Sequence, residues 1–143
     1  MTSKILIEVV SDLRDYSSLV DKLPERQAIY QAHPSDEPDY KVAVIITPIF
    51  DGSTPQRGVI SKETRIQVTV KSTRQWREEK DTSGLTGIGE MQDILRLVGD
   101  RLELAYPISG STVPLGGESG TTPQPSESGR LSITADWRIR QYE

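Results

Sequence analysis

The most regular apolar pattern in the chain falls at 86–106, TGIGEMQDILRLVGDRLELAY, where Ile88, Met91, Leu95, Val98, Leu102 and Ala105 recur at steps of three and four and Ile94 joins the stripe. Glu90, Gln92, Asp93, Arg96 and Asp100 take the rest of the cylinder. That period predicts an amphipathic helix with one face to bury. A second helix is expected at 3–16, with Ile5, Leu6, Val9, Val10, Leu13 and Tyr16 on one side, Glu8, Asp12 and Asp15 on the other, and Thr2 or Ser3 as a cap. Its β-branched residues make a strand the competing reading, and the three/four spacing decides for helix.

Other stretches have the period of a strand. Residues 64–72 alternate Ile66, Val68 and Val70 with Arg65, Gln67, Thr69 and Lys71. Residues 130–141 alternate Leu131, Ile133, Ala135, Trp137 and Ile139 with Arg130, Ser132, Thr134, Asp136, Arg138 and Arg140. Each predicts a strand with one face on the core, and Trp137 is its natural anchor. Residues 40–50, YKVAVIITPIF, are almost continuously apolar, as in a strand covered on both faces, and Pro48 marks a bulge, an edge or the strand's end. Short strands are expected at 27–31 and 58–62, a turn at 51–56, a loop at 33–39, and a short helix or loop at 73–81. The segment 107–129 is rich in Gly, Ser, Thr and Pro and is expected to be a long flexible loop. The fold class that follows is α+β: one domain over 1–143, with a small, mostly antiparallel sheet of about four strands packed by the N-terminal helix and the central helix at 86–106.

Composition narrows the chemistry. The net charge of −4 over 143 residues disfavours a general nucleic-acid binder. The chain has no cysteine, which removes disulfides, thiolate nucleophiles and cysteine zinc sites together. No apolar run approaches the ~20 residues of a membrane helix, and acids within the N-terminal apolar stretch argue against a cleaved leader. His33 is the single histidine and sits before a proline in an acidic loop, a poor setting for acid–base catalysis. Gly84, Gly87 and Gly89 precede the central helix in the order G-x-x-G-x-G, which matches neither a dinucleotide fingerprint nor a P-loop. The acidic pairs Asp12/Asp15, Asp36/Glu37 and Glu78/Glu79 lack a calcium-loop pattern. No catalytic, cofactor-binding or metal residue is expected, and the chain reads as a non-enzyme. What remains is a basic cluster, Arg65, Lys71, Arg74, Arg77 and Lys80 around Trp76. It fits a protein interface, a solvated surface or a single-strand nucleic-acid surface, and the interface reading is favoured because Arg and Trp dominate hot spots.

The order of elements, with VAVIITPIF-DGST, RIQVTVKS, MQDILRLVGDRLEL and a last alternating strand RLSITADWRIR after a variable loop, resembles the tail terminator, or tail-completion, proteins of long-tailed bacteriophages. The resemblance covers most of the chain apart from 107–129, which is longer than that family's pattern. It implies a subunit of a homohexameric ring that caps the tail tube, ends its polymerisation and joins the tail to the head–neck connector. DNA would pass through the ring without sequence-specific binding, and the protein would be found in the virion, at the neck of the tail, after assembly in the host cytoplasm. The residues expected at interfaces are Arg65, Gln67, Lys71, Arg74, Trp76, Arg77, Arg138 and Arg140. The alternatives are another neck or head-completion connector, or a soluble α/β protein-binding module.

Overall fold

The computed structural model describes the chain at residues 4–56, 59–80, 87–105, 110–114, 124–125 and 129–142. Helix α1 (Lys4–Arg14) buries Leu6, Val9, Val10 and Leu13, the face that the three/four spacing marks. The proposed caps Thr2 and Ser3 lie outside the described residues. A single turn, α2 (Ser17–Val20), adds Leu19 to the core before Pro24. The long helix α4 (Gly87–Ala105) follows the expected span, and Met91, Ile94, Leu95, Val98 and Leu102 are all buried. Two polar ties fasten α4 to α1 and to the turn after α2. Arg101 donates from Nε and Nη2 to the two carboxylate oxygens of Asp12, at 3.0 and 2.9 Å. Lys22 meets Glu90 at 3.4 Å and Asp93 at 3.0 Å.

The helices cover one face of a six-stranded sheet ordered β1-β2-β3-β6-β4, with β5 also paired to β6. The strands are β1 (Ile29–Gln31), β2 (Val42–Gln56), β3 (Val59–Ser72), β4 (Gly110–Pro114), β5 (Gln124–Pro125) and β6 (Leu131–Tyr142). Only β1 and β2 run parallel; every other pair is antiparallel. The α+β class and the mostly antiparallel sheet match the sequence pattern. The two additional strands come from 107–129, where β4 and β5 find backbone partners on β6 despite a composition that offers little to bury. The remaining parts of that expected flexible loop lie outside the described residues.

The turn expected at 51–56 is instead strand: β2 continues to Gln56, opposite Val59. Glycine and proline lower strand propensity, but β3 supplies an uninterrupted partner. Beyond Ile46 β1 no longer pairs with β2, so prolines there sit on an edge where a missing N–H is tolerated. Pro48 does mark a bulge, since the register shifts by one residue between Pro48 and Phe50. The segment 74–80 resolves as a helix, α3 (Arg74–Lys80).

The second sheet face is partly covered as well. Ala43 and Ile45, on that face, are fully buried, and Thr69 and Lys71 are nearly so. The acidic stretch 32–41 lies over them without regular structure and with Pro38 buried. This explains the continuous apolar run of β2: it is buried on both sides where the loop lies over it.

On the helical face the closest fit is between Gly99 of α4 and Trp137 of β6. A Cβ on Gly99 would stand 2.9 Å from Cζ2 of the indole. Replacing a mid-helix glycine by alanine ordinarily stabilises by ~1 kcal/mol. Here the added methyl overpacks a rigid ring, which costs ~1–3 kcal/mol. The expected outcome for Gly99→Ala is a net loss of roughly 1 kcal/mol, read as a lower urea midpoint at unchanged m value. A raised midpoint would mean that the indole yields.

Candidate interaction surface

The basic cluster read from the sequence does not form one patch. Trp76 points inward: it is 4% exposed and belongs to the hydrophobic core. The reading of Trp76 as an anchor on the surface is therefore corrected, and the reason is helical geometry. In α3, Trp76 turns toward the core while Arg74, Glu78 and Glu79 face solvent, a distinction that charged neighbours in sequence concealed. Arg77 is half-buried, and its Nη1 donates to the Ser72 carbonyl at 2.8 Å and to Ser72 Oγ at 3.1 Å. Burial, followed by the nearby Arg74 charge, lowers its affinity for a proton. Its work is to hold α3 on the end of β3. Arg74 is exposed and pairs with Glu78 at 2.9 Å, one helical turn on.

Lys71 is likewise not on an open strand face. It is 3% exposed, and its Nζ donates to the carbonyls of Pro34 and Asp36, each at 2.9 Å. Glu37 lies 3.8 Å from Lys71 and 3.2 Å from Arg130, whose Nη1 also donates to the Tyr40 carbonyl. Of the expected strand-face set, Arg65 is exposed and Gln67 half-buried. The ladder sets Arg65 opposite Arg138 and Glu63 opposite Arg140. The side chains of Arg138 and Arg140 lie outside the described residues.

The sequence reading missed the role of the acidic loop. Tyr30, Asp36, Glu37, Pro38, Asp39 and Tyr40 line a groove of about 300 Å³ together with Gln27. The Tyr30 and Tyr40 rings stand 6.4 Å apart, and the Tyr30 hydroxyl donates to Asp36 at 3.3 Å. Burial, with Asp36 beside it, pushes the Tyr30 hydroxyl up to about 12. The parallel pairing of β1 with β2 places Tyr30 beside Ile45. A second groove, about 370 Å³, runs between α1 and β1 past Ile7, Arg14, Arg26 and Gln31. Ile7 is 58% exposed there, and Arg14 Nε donates to the Ile29 carbonyl at 2.8 Å, occupying part of the β1 edge.

The chemical motifs weighed in the sequence resolve into structural roles where they are described. His33 sits in an exposed turn, its Nδ1 accepting from the Ser35 N–H at 3.1 Å. Gly87 opens α4 against α3, where a Cβ would come within 2.5 Å of the Cα of Arg77. The backbone of α3 packs directly on Gly87 there. Gly84 lies outside the described residues. Among the described residues no group of three or more His, Cys, Asp or Glu is placed to hold a metal, and no helix is long and apolar enough to cross a membrane.

These elements define an α+β protein in which a helical layer covers one face of a mostly antiparallel sheet and an acidic loop covers part of the other. No family model and no curated protein matches the sequence. Its fold is similar to that of a chain in the structure of the virion of a native gene transfer agent particle, with a TM-score of 0.60 and 17% identity over 94% of this chain and 92% of that one.

Proposed function

We propose that the chain is a structural protein of a phage-like virion, and within that class a tail terminator that forms a ring on the end of the tail tube. The supporting observation is the likeness of fold along nearly the whole of both chains to a virion component. The element order that resembles tail terminator proteins supports the finer reading. On this reading the protein acts by binding alone: to its own copies, to the tube protein below and to the neck connector above. A chain of net charge −4 suits a ring through which DNA slides without sticking.

The test is assembly. Purified chain is sized by light scattering alone and with polymerising tail tube protein, and tube lengths are scored by electron microscopy. The expected result is a ring of about six chains, formed alone or on tube ends, and tubes that stop growing at the capped end. A chain that stays monomeric, leaves tube length unchanged and is absent from particles overturns the proposal.

A further inference from the structure

The free edges of the sheet carry the inference. Beyond Ile46 the outer edge of β2 has no partner strand among the described residues, because β1 pairs only with 44–46. On the far side of the sheet β4 is the last strand among the described residues. The ladder puts these two edges at the same height. Gly110 pairs with Gln141, Gln141 with Lys62 and Lys62 with Ser53; Val113 leads in the same way through Arg138 and Arg65 to Phe50. The row of Pro114 leads through Trp137 and Ile66 to Pro48, so both edges reach a residue without an N–H at the same level, where pairing naturally ends.

Direction matters as much as height. At this level the sheet has four strands, β2, β3, β6 and β4, each antiparallel to the next. An even count leaves β2 and β4 running in opposite directions. If copies stand side by side with their strands aligned, β4 of one meets β2 of the next as an antiparallel pair, the more stable ladder. The two edges face opposite ways, so the contact is head-to-tail, the type that closes into a ring. A free edge of this length is also a liability for a lone chain, and pairing it removes the liability.

We propose that a second copy of this chain occupies the β2 edge, its β4 (Gly110–Pro114) adding as a fifth antiparallel strand beside 48–53, and that repetition of this contact makes one closed sheet around the ring. This rests on the ring reading above and supplies the contact that the reading leaves unspecified. The partner is recognised by backbone hydrogen bonds, so assembly through this edge tolerates high salt.

Amide hydrogen exchange on the wild-type chain, free and assembled, tests it without any mutation. The expected result is at least ten-fold slower exchange on assembly within 50–53 and 110–113, with little change at the already paired 67–71. Disulfide trapping gives a second readout in a chain that has no native cysteine. Asp51→Cys/Thr112→Cys and the staggered Ser53→Cys/Thr112→Cys should give an oxidised ladder of bands ending at the ring's own number, and each single-cysteine variant should not. Rings that assemble with both edges still exchanging at the free-chain rate overturn this contact and leave the ring standing. A chain that forms no assembly of any kind removes both.

Discussion

Trp137→Ala is expected to destabilise the protein by ~3–5 kcal/mol, the range for truncating a large aromatic in a packed core. The indole is fully buried on β6 beside Ile66, its direct partner on β3. It lies under the middle of α4, where Gly99 provides the only shape that admits the ring at this distance. The helix cannot collapse into the vacated volume, because its other buried residues already rest on β3 and α1. The cavity term is therefore retained nearly in full. The indole N–H has no hydrogen-bond partner among the described residues, which offsets part of the ring's contribution, since an unmet buried donor costs ~1–3 kcal/mol. Trp137→Phe removes that donor together with part of the ring and should cost clearly less than the alanine change. Gly99 and Trp137 touch, so their substitutions should couple: Gly99→Ala should cost less in a Trp137→Ala background than alone. Urea unfolding of the four chains of that cycle measures it, and strict additivity would mean that the contact carries no energy.

How far the sequence revealed this arrangement depended on the range of the interaction. Periodicity located α1, α4, β3 and β6, because each buries one face against a large neighbour and its own residues record that face. Trp137 was recognisable as core for the same reason: it keeps step with Ile133 and Ala135. Trp76 did not reveal itself, because α3 has seven residues and too few apolar positions to display a stripe. Lys71 was misread by the same alternation that placed Val70 correctly. The pattern says which side of the sheet Lys71 takes, and what covers that side comes from a loop more than thirty residues earlier. The extent of β2 past Phe50 was equally hidden: residues 51–56 have turn composition, and only the partner strand makes them extended. The candidate contact surface therefore moved from side chains to backbone edges, which leave almost no mark on composition.

The covering of that second face is itself open to test. Lys71→Ala is expected to cost about 2–3 kcal/mol, as hydrogen bonds from a charged donor contribute ~1.5–3 kcal/mol and leave acceptors unmet when removed. The ammonium holds two carbonyls of the loop, Pro34 and Asp36, and lies within 3.8 Å of Glu37. Arg130 holds the other end of the same loop through Tyr40 and Glu37. Two cations, one from β3 and one just before β6, thus pin one acidic segment across the sheet. Loss of one should release its half and expose Ala43 and Ile45 beneath. Lys71→Met separates the contributions, since it keeps the buried stem and removes only the ammonium. If the hydrogen bonds dominate, methionine should cost most of what alanine costs. Hydrogen exchange and limited proteolysis should then locate the change within 33–41, while the β3–β6 ladder at 66–70 keeps its protection. A Lys71→Met chain with wild-type stability and an intact loop would assign the fastening to Arg130 and to Pro38 packing instead. The loop covers only the lower part of this face, and the edges at 48–56 and 110–114 lie beyond it. Its release should therefore lower stability without preventing copies from joining, and light scattering on the folded Lys71→Met protein checks that independence.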